Sequence, residues 1–198
     1  VLGAIYPDGG GRNWKLIYQT LLTNNTEIQI EKRFLLSDET LIDETRSRLS
    51  KVKLAVASAK RLIGRKGILV IGGHIKDCWN MASALYEEID SECNDVDVEL
   101  VRRYVAAEYG EDFELVRLLS KGIAVHHSGI SDEARALIEW LMERGKLNVL
   151  VATTTVAQGI NFPVSTILMA SISYPYISEM PVRDFWNLVG RAGRAGQD

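Results

Sequence analysis

Arg191 and Arg194 stand three residues apart in the run Asn187-Leu188-Val189-Gly190-Arg191-Ala192-Gly193-Arg194-Ala195-Gly196. At that spacing two side chains share one side of a helical turn. Gly190, Gly193 and Gly196 keep bulk away from them. Two guanidiniums on a small-residue platform fork onto phosphate oxygens. They also stabilise the charge that develops during phosphoryl transfer. The plainer alternative is a glycine-rich linker with two solvated arginines. The apolar run ahead of it (Phe185, Trp186, Leu188, Val189) argues against a free linker.

A second set of polar groups follows a series of short apolar runs. Gly72-Gly73-His74 comes after Ile68-Leu69-Val70-Ile71, and His126-His127-Ser128-Gly129 comes after Gly122-Ile123-Ala124-Val125. Thr153-Thr154-Thr155 follows Val149-Leu150-Val151-Ala152, and Ser171 and Ser173 follow the run from Thr166 to Ala170. Small residues with hydroxyls and open backbone N–H groups suit phosphate oxygens. Any one such loop is better explained by turn and cap preferences, but several on one rim favour a polyanion-binding edge. His126 and His127 do not make a metal site. Adjacent residues on an extended chain point to opposite sides, and no cysteine or carboxylate stands nearby at ligand spacing. No metal ligands are assigned to this chain.

The pattern GxxxxGKS/T, which would cradle nucleotide phosphates and place Mg2+, is absent; Gly145-Lys146 is followed by Leu147. Asp132-Glu133-Ala134-Arg135 superficially reads as an acidic Mg2+ box. It follows Ser131 directly, so it reads instead as the first turn of a helix with Ser131 as cap. The acidic stretch Glu87, Glu88, Asp90, Glu92, Asp95, Asp97 and Glu99 is read as a solvated helix end and loop. The four tryptophans are scattered and read as packing residues.

The elements that position these groups alternate from Gly67 onward. Strands are expected at 68–71, 122–125, 149–152 and 166–170. Helices are expected at 76–89, 96–109, 113–120, 131–144 (stopped by Gly145), 154–158 and 182–189. Buried strands alternating with helices predict an α/β fold with a parallel sheet covered on both faces, and such sheets bind ligands at the carboxyl ends of their strands. The first segment, to about Leu36, is β-leaning. Asp8-Gly9-Gly10-Gly11 reads as a loop, and runs 15–22 and 27–36 around Thr23-Asn24-Asn25-Thr26 read as two strands and a turn, or a hairpin. Ser37-Asp38-Glu39-Thr40 resembles a helix N-terminus, predicting a helix from there to about Arg61, either continuous or broken near Ser50.

The chain has 198 residues, with 23 Lys and Arg against 26 Asp and Glu, a net charge of −3. This length supports one domain with an appendage and buries about 70% of the unfolded surface. Hydrophobic residues at 46% and charged ones at 25% exclude wholesale disorder. Averaged over the chain, a net-acidic balance argues against a nucleic-acid partner. Cys78 and Cys93 form no CxxC pair, which fits an intracellular setting. No apolar run approaches the ~18 residues of a membrane span. The chain begins at Val1 and ends at Gly196-Gln197-Asp198 inside a glycine-rich stretch, and is read as part of a longer protein.

With these residues in view, the stretch 67–198 resembles the second RecA-like domain of superfamily-2 helicases, in the superkiller-like, DExH-type branch. Gly67 to His74 resembles motif IV. Val125-His126-His127-Ser128-Gly129-Ile130, with Arg135 downstream, resembles that branch's HHAG-type segment. The run from Val149 to Pro163 resembles motif V, and Asn187 to Gly196 resembles motif VI, of the Q-x-x-G-R-x-G-R type. Four motifs in order, on predicted strand ends, make the resemblance specific.

The resemblance implies that Arg191 and Arg194 reach the ATP γ-phosphate. It implies that Gly159 and Asn161 lie near the ribose and couple ATP to strand binding, with Asn187 and Gly190 beside the nucleotide. The Gly73-His74 loop, His127, Ser128, Gly129, Thr153 and Thr154 would meet the sugar-phosphate backbone. Asn187 stands where Gln is usual, which shortens its reach, and Gly72-Gly73-His74 replaces the usual Ser or Arg of motif IV. Mg2+ ligands would sit on a first RecA-like domain. The expected organisation is an interdomain β segment at 1–36 and a motor domain at 37–198. The partners would be DNA or RNA, single-stranded or partly duplex, with no membrane. Two other readings remain: an ATP-driven translocase that remodels complexes without unwinding, and a degenerate RecA-like module that binds a partner.

Overall fold

A computed structural model describes residues 2–8, 13–19, 28–35, 42–43, 48–64, 67–154, 164–171, 180–190 and 192; before residue 50 it describes the backbone. Strands β1 (Leu2–Asp8), β2 (Asn13–Gln19) and β3 (Ile28–Leu35) form an antiparallel sheet in sequence order. A register shift between Trp14 and Leu16 marks a bulge in β2. The two expected strands are therefore present, joined by a third, and Asp8 closes β1 instead of opening a loop. The turn expected at Thr23–Thr26 lies outside the described residues.

The long helix predicted from Ser37 is not formed. Short strands β4 (Ile42–Asp43) and β5 (Arg48–Leu49) pair antiparallel across part of that range. Helix α1 (Lys51–Lys60) starts only after Ser50, whose side chain accepts the Lys53 N–H. Both Ser37 and Ser50 carry cap-type residues, and the β4–β5 pairing decides between them.

From Gly67 the expected alternation appears. Strand β6 (Ile68–Gly72) leads to α2 (Ile75–Glu88), α3 (Val96–Tyr109) and α4 (Glu114–Leu119). Strand β7 (Ile123–His126) leads to α5 (Asp132–Glu143), then come β8 (Val149–Thr153), β9 (Thr166–Met169) and α6 (Val182–Val189). The helix expected at 154–158 lies, beyond Thr154, outside the described residues. The strands lie in the order β7-β8-β6-β9, all parallel. Every residue of β6, β7 and β8 is buried, while edge strand β9 is half-buried. Burial on both faces explains why β6 to β8 read as unbroken apolar runs with no alternation.

Side-chain caps set the helix ends. Asp95 accepts the Asp97 and Val98 N–H groups at the start of α3 and also binds the Lys146 ammonium at 2.8 Å. Part of the acidic stretch thus serves as cap and ion-pair partner. Ser131 caps α5 by accepting the Ala134 N–H. At the other end of α5, Gly145 takes φ +63° while the Gly145 and Lys146 N–H groups return to the Met142 and Leu141 carbonyls. That doubly bonded stop needs a left-handed residue, which glycine adopts without a Cβ penalty.

Leu69 lies at the centre of β6 with no solvent exposure. Leu69→Ala is expected to cost about 3 kcal/mol through lost burial and the residual cavity. Chemical denaturation of the folded domain checks this; a cost below about 1 kcal/mol would contradict the placement of β6 in the core.

Candidate functional site

The parallel register brings the ends of the strands to one rim. Gly72 pairs with Thr153, Ile71 with Met169 and His126 with Ala152. The residues that leave these strands therefore emerge beside one another.

At the end of β6, a Cβ on Gly72 would meet Met81 Cε at 2.8 Å and Cys78 Sγ at 3.1 Å. One on Gly73 would meet Ser171 Oγ at 3.2 Å. The glycine pair lets α2 and the chain after β9 approach the backbone closely. Cys78 beneath it is fully buried, and burial pushes its thiol up to about 12. His74 is exposed at the N-cap position of α2, with no cap hydrogen bond from its side chain.

At the end of β7 the two histidines turn to different helices. His126 Nε2 lies 2.6 Å from Glu139 Oε1 on α5, whereas the His127 ring packs edge-on against Trp79 on α2 at 5.4 Å. Successive side chains on an extended chain point to opposite faces, so α2 and α5 cover opposite faces of the sheet at β7. Burial holds both imidazoles below their usual range, against the pull of Glu139 on His126 and reinforced by Arg135 on each. Both are therefore neutral at pH 7. His126 donates from Nε2 to the carboxylate. His127 accepts the Gly129 N–H at Nδ1, at 3.0 Å. His126 Nδ1, His127 Nε2 and Arg135 Nε are buried without a hydrogen-bond partner among the described residues.

The rim differs from the expected one in which side chains face outward. His127, Thr153 and Thr154 are 3%, 4% and 0% exposed. His127 packs against Trp79 of α2, and all three side chains are buried in this conformation. Ser128, Gly129 and His74 are exposed, and Gly73 and Ser171 are half-buried. Three residues that the sequence reading did not single out for the site shape this rim: Trp79, Tyr109, whose hydroxyl accepts the Ser131 N–H at 2.8 Å, and Glu139. Only Glu139 carries a usable sequence signal, since it stands one turn after Arg135 on the helix following β7.

Two of the other candidate residues, Asn187 and Gly190, lie on or next to a helix that ends towards the opposite end of the sheet. Ser165 N–H binds the Gly67 carbonyl, and Thr166 pairs with Ile68, so Val164 sits at the amino end of the parallel strands. Ala192 bridges to Val164. Helix α6 thus ends, at Gly190, near that amino end. Asn187 and Gly190 are exposed, while Asp184 and Leu188 are buried. The five residues of β6 span about 15 Å between the two ends. Arg191, Arg194, Gly159 and Asn161 lie outside the described residues. Among the described residues no group of three or more His, Cys, Asp or Glu is arranged to hold a metal ion. No helix there is long and apolar enough to cross a membrane.

A parallel four-stranded sheet with helices on both faces defines a RecA-like α/β domain. The chain belongs to the family described as "Helicase conserved C-terminal domain", whose model matches residues 83–196. Within superfamily 2, its relatives place it as a second RecA-like domain of the superkiller-like branch. It is 36% identical over 148 residues to the Hachiman protein HamB of Bacillus cereus, covering 73% of this chain and 13% of that protein. It is 34% identical over 158 residues to the ATP-dependent DNA helicase Hel308 of Pyrobaculum calidifontis, covering 78% of this chain and 19% of that protein. It is 42% identical over 84 residues to the antiviral helicase SKI2 of Saccharomyces cerevisiae, covering 41% of this chain and 6% of that protein. The chain thus spans less than a fifth of the length of each of these relatives.

The neutral, buried histidines have a consequence for pH. A group whose folded pKa is depressed gives stability that is present above its unfolded value and lost as pH falls. The unfolding midpoint is expected to drop as pH falls below the usual imidazole value of 6.5. Replacing both His126 and His127 by Asn should flatten the dependence between about pH 7.5 and 5.5. A parent protein with no pH dependence there would contradict the neutral assignment.

Proposed function

We propose that this chain is the second motor domain of an ATP-dependent nucleic-acid helicase acting inside the cell. Residues 1–36 serve as an interdomain segment and 37–198 as the motor domain. The observation that carries this reading is the division of the polar candidates between two ends of one sheet. Ser128, Gly129 and the Gly73-His74 loop crown the carboxyl ends of the strands. Asn187 and Gly190 face outward on a helix that ends by the amino end, just before Arg191 and Arg194.

The rim suits a single strand of DNA or RNA. It offers hydroxyl, imidazole and backbone N–H groups, which bind phosphate and sugar and carry little sequence information. The α6 end suits ATP. Asn187 and Gly190 would lie beside the nucleotide, and the small residues at 190, 193 and 196 leave the arginines room to reach it. Arg191 and Arg194 would neutralise the charge that builds on the γ-phosphoryl group. In this reading the metal ligands and the phosphate cradle would come from a first RecA-like domain of the full-length protein. Closure of the two domains on ATP brings the arginines into place, and opening releases them.

In the full-length protein, Arg191→Ala and Arg194→Ala are each expected to lower ATP hydrolysis by about a thousandfold while strand affinity stays within about twofold. Steady-state hydrolysis and strand binding by fluorescence anisotropy check this. Full hydrolysis in both variants would refute the finger assignment. The isolated chain is expected to have no ATPase activity, and turnover that survives both substitutions would contradict the reading.

A further inference from the structure

The turn after β7 is held from several sides. Ile130 N–H binds the His127 carbonyl at 3.1 Å, and Ser131 N–H binds the Tyr109 hydroxyl at 2.8 Å. Gly129 N–H binds His127 Nδ1 at 3.0 Å. The aromatic contacts close a circuit around the turn. His127 packs on Trp79, Trp79 on Phe113 at 5.7 Å, and Phe113 stacks on Tyr109 at 4.5 Å. Ser128 and Gly129 are exposed at this assembly, while Trp79, Tyr109, Phe113 and Ser131 are half-buried.

The ring and the glycine fit each other closely. A Cβ on Gly129 would meet His127 Nδ1 at 3.0 Å and Cε1 at 3.1 Å. Any side chain there would push the ring away from the amide it holds. Because Nδ1 accepts that N–H, the ring proton belongs on Nε2, which is buried without a partner among the described residues. A buried donor left unpaired is costly. The arrangement keeps this ring even so, which indicates that its acceptor nitrogen matters.

We propose that His127 is a positioning residue for strand binding: its Nδ1 fixes the Gly129 amide, so that the turn presents the Ser128 hydroxyl and the adjoining backbone to the sugar-phosphate chain. This rests on the reading of the rim as the strand-binding edge. A serine–glycine pair free to rotate would lose that freedom on binding; one already held in place loses less and binds more tightly.

The test uses the full-length helicase, with ATP hydrolysis titrated by a single-stranded oligonucleotide and the thermal midpoint measured alongside. His127→Phe keeps the ring volume and the Trp79 contact but removes the acceptor. It is expected to raise the KM for the strand about tenfold, the worth of one hydrogen bond, with kcat at saturating strand and the midpoint unchanged. His127→Asn, whose side-chain oxygen can accept the same N–H, is expected to stay within about twofold of the parent. Ser128→Glu places a carboxylate on the rim and is expected to raise the strand KM whatever the role of His127. If Ser128→Glu weakens binding and His127→Phe does not, the positioning role is overturned and the rim reading stands. If neither changes the strand KM, both are overturned. Equal losses in His127→Phe and His127→Asn would also overturn the positioning role. Should His127→Phe fail to fold, Gly129→Ala tests the contact from the other side. A raised strand KM at unchanged kcat supports the proposal, and an unchanged KM overturns it.

Discussion

The register between β6 and β8 is the constraint on which the rest depends. Five consecutive pairs, from Ile68–Val149 to Gly72–Thr153, lock two fully buried strands in parallel. A slip of one residue would turn every side chain of one strand to the opposite face. Because β7 pairs onto β8 and β9 onto β6, such a slip would also take the ends of all four strands out of line. The rim is therefore a consequence of core packing. Gly72 and Gly73 are part of that packing, since α2 and Ser171 come against the backbone there.

The same register separates two chemical ends. The chain leaves β8 at Thr153 on the rim and must be back at Val164, at the amino end of the sheet, before β9 begins. Gly159 and Asn161 fall in the sequence segment between these two positions. In the proposed reading it is the covalent link between a strand-binding end and a nucleotide-binding end. The net charge of −3 raises no conflict with this. The acidic residues of 87–99 include the cap of α3 and the partners of Arg102, Arg103, Arg117 and Lys146. In the proposed reading, binding at the rim would rely on placed amides and hydroxyls and not on a basic surface.

Much of the architecture was legible in the sequence, because buried parallel strands and capped helices leave strong local marks. Helices α3 and α6 have the expected bounds, and Gly145 stops α5 as expected. The helix predicted from Ser37 failed because its cap-like residues are equally at home elsewhere. The pairing of Ile42 with Leu49 is a contact between separated residues that local signals do not encode. At the site, residue types named the rim but not its outward face. Ser, Thr and His serve as caps, packing residues or ligands alike. Only tertiary packing decides that Ser128 is exposed while His127, Thr153 and Thr154 are buried. The position of Gly190 near the amino end of the sheet was likewise invisible, since it depends on the Val164–Ala192 bridge.

Amide hydrogen exchange of the full-length protein tests the central claim, the separation of the two ends, most directly. Exchange would be followed with a single strand alone and with a non-hydrolysable ATP analogue alone. Strand binding is predicted to protect the amides around Gly73–Ile75 and Ser128–Ile130 and to leave those of 187–196 unchanged, and the nucleotide analogue is predicted to do the reverse. Protection of the same peptides by both ligands would contradict the account.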